Sequence, residues 1–228
     1  MPSVNDVIKR LEEKARPDQV EGMARFGIIG FKRMGVRVPE MRALAKEIGK
    51  DHPLALEIWK TGIPDARILA SMLGEPEKLT EEQMEEWVKD FNSWDVCDQV
   101  CMNLFDKTPL AWKKVYDWSS REEEFVKRAS FALIACLAWH DKKASDDKFL
   151  AFLPLIKREA VDERNYVKKA VNWALRHIGK RNPALNQSAL AAAREIKQID
   201  SKSARWIASD AIRELESEGV QNRLKKHK

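Results

Sequence analysis

Two tryptophans stand apart from the others by the residues around them. Trp94 lies in Asn92-Ser-Trp-Asp-Val-Cys-Asp98, near the start of an expected helix. Asp98 follows it by four residues, so indole and carboxylate share one helix face. Trp173 lies in Tyr166-Val-Lys-Lys-Ala-Val-Asn-Trp-Ala-Leu-Arg176, a basic stretch. An indole face attracts a cation by about 0.5–2 kcal/mol, and a carboxylate stabilises positive charge developing beside it. The plain alternative is that Trp94 and Trp173 pack, that Asp98 caps a helix or forms a salt bridge, and that Arg128 is ordinary surface. The chain has eight tryptophans, the others being Trp59, Trp87, Trp112, Trp118, Trp139 and Trp206, and most should serve a core or the packing between repeats.

Other chemistries find less support. His52, His140, His177 and His227 are scattered, without a partner at metal-ligand spacing, so neither a metal nor another cofactor is expected. Cys97, Cys101 and Cys136 form no C-x-x-C pair and are expected to be free thiols in a reducing compartment. Asp95 and Asp98 lack the cluster of further acids that a metal-dependent nuclease uses. The stretch Phe26-Gly-Ile-Ile-Gly-Phe31, followed by Gly35-Val-Arg-Val-Pro39, has the wrong glycine spacing for a nucleotide-binding fingerprint and is expected to be an irregular connection.

The elements that must position these residues are helical throughout. Helices are predicted over residues 4–15, 39–49, 54–60 and 63–73, the last opened by Pro64 and closed by Gly74. Thr80-Glu-Glu-Gln83 is a capping box opening a helix that runs through Val88. Asn92 or Ser93 can cap the next helix, with Asp95 in its first turn, and Pro109 is expected to start another. No segment alternates convincingly as a strand. Phe125-Val-Lys-Arg-Ala129 matches Tyr166-Val-Lys-Lys-Ala170 at an offset of 41, and Ala174-Leu-Arg-His-Ile178 matches Ala211-Ile-Arg-Glu-Leu215 at an offset of 37. Arg128 thus holds the place in its repeat that Lys169 holds in the next. A period near 40 with helix-pair content predicts an all-α superhelix of HEAT-like repeats, a curved solenoid of antiparallel helix pairs spanning residues 1–228 as one domain.

Composition agrees with a folded protein: 44% hydrophobic and 34% charged residues, with no apolar run of membrane-spanning length. No signal peptide is evident at the start, so a cytoplasmic protein is expected, nucleoid-associated when bound to DNA, and a monomer. Charge is uneven. The first 120 residues carry 18 Lys/Arg against 21 Asp/Glu, residues 121–181 carry 14 against 9, and residues 182–228 carry 9 against 6. A basic second half fits a polyanionic partner, although helices favour Lys and Arg in any case.

With those residues in view, the chain resembles the HEAT-like repeat DNA glycosylases of alkylation repair. The likeness is carried by Ser93-Trp-Asp-Val-Cys-Asp98, by Phe125 to Ala129, by Tyr166 to Arg176 and by Lys180-Arg-Asn-Pro183, and it extends from about Met23 to Leu215. The resemblance implies hydrolysis of N3- or N7-alkylated purines, with the duplex held in a basic concave groove and no base drawn into a pocket. By the motif match Asp98, Trp94, Trp173 and Arg128 would be the catalytic residues. Lys168, Lys169, Arg176, Lys180 and Arg181 are the candidate contacts to duplex DNA. The pattern departs at Ser93, where the family sequence compared has a second tryptophan. Two rival readings remain: a non-catalytic HEAT-like repeat protein that binds duplex or structured DNA, and a protein–protein adaptor.

Overall fold

The computed structural model describes residues 2–28 and 30–226. Ile29 of the glycine-bearing stretch and the scattered His227 lie outside the described residues. The chain divides into two compact units, residues 1–111 and 112–228, each described by itself. Among the described residues every regular element is a helix, and no helix is long and apolar enough to cross a membrane.

The first unit holds α1 (Val4–Glu12), α2 (Pro17–Ala24), α3 (Val38–Ile48), α4 (His52–Trp59), α5 (Pro64–Leu73), α6 (Glu81–Lys89) and α7 (Trp94–Asn103), then a 3-10 turn at Phe105–Lys107. The starts follow local chemistry. Ser3 and Asp6 form a capping box on α1, Asp51 caps α4 through the Leu54 amide, and Thr80 and Gln83 form the expected box on α6. Proline occupies the first turn of α2, α3, α4 and α5, where its missing N–H costs nothing. Helices α3, α5 and α7 pack as successive neighbours, while α1 and α4 lie against α5. Trp59 of α4 and Trp87 of α6 stack with centroids 4.0 Å apart.

Two helix boundaries differ from those expected. The first helix ends at Glu12 rather than near Ala15, and a separate α2 follows. That helix has no side-chain cap, carries Gly22 in its interior and buries no residue, so the local pattern does not announce it. Pro109 does not begin a helix: it sits in a turn, and α8 (Ala111–Ser119) starts two residues later.

The second unit continues α8 with α9 (Glu124–His140), α10 (Asp146–Leu150), α11 (Leu153–Glu159), α12 (Asn165–Gly179), α13 (Pro183–Lys197), α14 (Lys202–Leu215) and α15 (Glu218–Lys225). Helix α12 packs on α9 along one side and on α14 along the other, with α11 and α13 forming a second layer. The register of this row reproduces the repeat. Phe125 stacks on Tyr166, 41 positions on, with centroids 5.4 Å apart. Asn172 donates to Asp210 at 2.7 Å, 38 positions on. Helix α9 is buried continuously from Arg128 to Ala138, which makes it the spine of this unit.

Candidate nucleic-acid interface

Trp94 is the first residue of α7 and Asp98 lies one turn further on, both half-buried. The indole is fixed, because its Nε1–H donates to the Phe26 carbonyl at 2.8 Å. Ser93, fully buried at the N-cap, faces the Gly27 carbonyl at 3.4 Å and donates to Asp95 instead of capping the helix. Arg33 grips both oxygens of Asp95 at 2.8 and 3.0 Å and stands 4.0 Å from Asp65. Asp65, also fully buried, accepts the Met34 and Val36 amides at 2.9 and 2.8 Å. Gly30 permits the close approach this needs, since its φ is +145° and a Cβ there would collide with the Pro64 ring.

The glycine-bearing stretch is therefore a strap tied to the starts of α5 and α7. Asp95 is committed to that strap, and Asp98 is the carboxylate on the Trp94 face. Ser93 is buried under Gly27, and an indole at that position would displace the strap. The strap carries two side chains whose prominence the sequence pattern does not reveal. Phe26 is 74% and Phe31 66% exposed, beside a tryptophan already singled out. Exposed aromatics on a tethered segment are visible only once the tether is known.

In the second unit, Arg128 is only 5% exposed and its Nη1 donates to the Tyr166 carbonyl at 2.6 Å. It is neither ordinary surface nor an open cation; it joins α9 to α12. On α12, Lys169, Trp173, Arg176 and Lys180 recur at helical spacing on one face. Trp173 is half-buried and meets the edge of His177 at 5.6 Å. Burial, then the charges of Lys180 and Arg176, push the His177 imidazole down to about 3, so it stays neutral.

The expected DNA contacts differ in how far they are already engaged. Lys169 is exposed. Lys168 lies over the Trp206 ring at 5.2 Å. Arg176 and Lys180 converge on Glu214, the latter at 2.6 Å, and Arg176 also stands 3.8 Å from Asp210. Burial raises the Glu214 carboxyl, but Lys180 and Arg176 outweigh it and hold the group below its ordinary range. Arg181 donates to the Ala138 and Ala144 carbonyls at 3.1 and 2.9 Å and lies 4.4 Å from the Phe149 ring. Glu214 is not evident from the sequence around these cations, because the acid that faces them lies about a repeat away.

The site residues thus fall in two groups: Trp94 and Asp98 together on α7 in the first unit, Arg128 and Trp173 on neighbouring helices of the second. Among the described residues no group of three or more His, Cys, Asp or Glu is placed to hold a metal ion, and the three cysteines are buried free thiols.

A family model described as "DNA alkylation repair enzyme" matches residues 7–215. A solved structure described as "a new family of proteins related to the HEAT-like repeat DNA glycosylases with affinity for branched DNA structures" superposes with a TM-score of 0.77 at 19% identity, covering 98% of this chain and 96% of that one. An engineered protein matches with a TM-score of 0.37 and 12% identity over 90% of this chain and 98% of its own. A designed armadillo repeat protein in complex with a peptide matches with a TM-score of 0.33 and 13% identity over 95% of each chain. No curated protein matches the chain. The first of these structures shows the fold, and the all-α, HEAT-like repeat architecture expected from the sequence is the one found.

Proposed function

This chain belongs to the DNA alkylation repair enzyme family, and from that premise we propose that it is a DNA glycosylase hydrolysing the N-glycosidic bond of N3- or N7-alkylated purines in duplex DNA. The observation that carries the reading is the Trp94–Asp98 pair: an indole pinned by its own hydrogen bond to Phe26, with a carboxylate one turn away on the same helix face.

The substrate chemistry explains why so few groups suffice. Alkylation at N3 or N7 places a positive charge on the purine, so the base leaves without a strong general acid. The C1′–N bond breaks, its electron pair neutralises the departing purine, and positive charge passes to the sugar, as in glycoside hydrolysis. Asp98 stabilises that charge and orients the water whose oxygen bonds to C1′, the proton going to the carboxylate or to solvent. The Trp94 indole favours the cationic lesion over the neutral base. Arg128, held against the Tyr166 carbonyl, acts by positioning. Lys169 is the leading backbone contact.

A second reading keeps the DNA and drops the chemistry. The solved protein with the same fold is described by its affinity for branched DNA, and Ser93 replaces a tryptophan of the glycosylase pattern at a buried position. Single-turnover release of N7-methylguanine, measured beside a thermal melt, separates the two. For Asp98→Asn the glycosylase reading expects an intact melt with excision reduced by roughly 10²–10⁴, the range for a positioned catalytic group. No release from the wild type, with DNA binding intact, would establish the binding reading instead.

A further inference from the structure

The second unit contains a basin that the proposed reaction does not use. It measures about 570 Å³, a size that accommodates one nucleotide, and is lined by Trp139, Lys142, His177, Lys180, Arg181 and Arg223 among others. Trp139, near the C-terminal end of α9, is 49% exposed, while the ten residues before it are buried. His140 stacks on the indole at 4.7 Å and His177 lies 6.4 Å away, so the ring is held while much of it stays open.

Charge in the basin is only partly compensated, with Asp146 behind Asn182 of the wall at 2.9 Å. Lys180 has Glu214, but no carboxylate lines the cavity. Among the described residues Lys142 makes no ion pair. Arg181 has backbone carbonyls and a phenyl ring for partners, and Arg223 has the Lys180 carbonyl at 3.3 Å. The depressed basicity of His177 on the wall reflects burial first and then Lys180, Arg176 and Arg223, which disfavour a further proton there against the opposing pull of Glu214. Clustered cations with one open, propped indole match the chemistry of a nucleotide released from pairing: phosphates for the cations and a bare π-face for the ring.

We propose that this basin binds an unpaired nucleotide of a DNA strand, its base stacked on Trp139 and its flanking phosphates held by Lys142, Arg181 and Arg223. The inference rests on the chain being a DNA-binding protein but not on its having glycosylase activity. A paired base has no face to offer Trp139, so the site distinguishes single-stranded or unpaired DNA from a continuous duplex.

The test compares a labelled thymidine oligonucleotide with a blunt undamaged duplex. Trp139→Ala is expected to weaken binding of the oligonucleotide about 10-fold, the effect of losing one base–aromatic stack, with duplex affinity changed less than about twofold and Trp139→Phe restoring most of the loss. The double variant Lys142→Ala/Arg223→Ala is expected to lower the salt slope of oligonucleotide binding by about 1.4, at about 0.7 per phosphate contact on a single strand. Both positions are exposed, so the double variant is expected to fold, which a thermal melt checks. Oligonucleotide affinity of Trp139→Ala within about twofold of the wild type, or an equal loss on duplex, overturns the proposal. Failure of the wild type to bind either DNA overturns the DNA-binding reading itself, a result distinct from the first.

Discussion

Arg128 and His177 are governed by what surrounds them rather than by their formal charge. Removing Arg128 takes a donor from the Tyr166 carbonyl at a buried position. Arg128→Ala is expected to cost about 1.5–3 kcal/mol, the contribution of a hydrogen bond made by a charged group, whereas the exposed Lys169→Ala should leave the melting curve in place. Equal melts for the two variants would show that the Tyr166 contact carries no stability. His177 yields a pH prediction. Its folded value near 3 lies below the ordinary 6.5, so the unfolded chain takes up a proton that the folded chain refuses as pH falls through that window. Stability should therefore fall with acid between those limits, by about 2 kcal/mol at pH 5. Melts at pH 7 and pH 5 for the wild type and His177→Gln check it, the variant losing less. At this scale the sequence made legible what lies within one helical turn, such as Trp94 with Asp98. It hid what the fold assembles from afar: Arg33 with Asp65 and Asp95, and Glu214 with Arg176 and Lys180, each joined across some thirty residues or more.

At the scale of elements, capping chemistry and periodicity located α1 and α3 to α7, whereas the helices after α8 were legible only as a repeat. Thr80 with Gln83, Asp51 before α4 and Pro64 in α5 are signals contained in a few adjacent residues. Helix α2 shares a first-turn proline, Pro17, but has no side-chain cap and no buried face, and the strap around Arg33 reads as a loop because its order comes from side chains that reach α5 and α7. That order is testable. Arg33 sits with its side chain only 3% exposed between two carboxylates. Arg33→Met would leave Asp65 and Asp95 without their guanidinium, and breaking a buried pair on one side costs about 3–5 kcal/mol. The expected outcome is a lower melting temperature together with faster limited proteolysis in the strap. Phe26 and Gly27 hold Trp94 and Ser93 only while the strap is seated, so the same variant should alter the Trp94 environment. A variant that melts like the wild type with the strap still protected would mean that the two backbone bonds to Asp65 suffice.

For the whole molecule the governing quantity is charge: a net of +5 and a pI near 9.0, with the excess confined to residues after 120. A polyanion responds only to the part of that charge not already neutralised within the protein. Arg176 and Lys180 share Glu214, so deleting either removes an internal pair and exposes an acid. Lys169 has no such link in the Glu214 cluster and stands open on α12. The two kinds of cation should therefore separate in a salt titration on undamaged duplex. Each phosphate contact releases counterions and contributes about 0.9 to the slope of log K against log salt. Lys169→Ala is expected to lower the slope by about that amount with its melt unchanged. Arg176→Ala is expected to lower the melt while changing the slope by much less. If instead Arg176→Ala removes a full contact's slope, the Glu214 pair must open to meet DNA, and the internal ion pairs of the second unit would be a competing state that the duplex displaces. A wild-type slope near zero would remove DNA as the partner altogether, whatever the lesion chemistry, because no HEAT-like surface can hold a duplex without displacing its counterions.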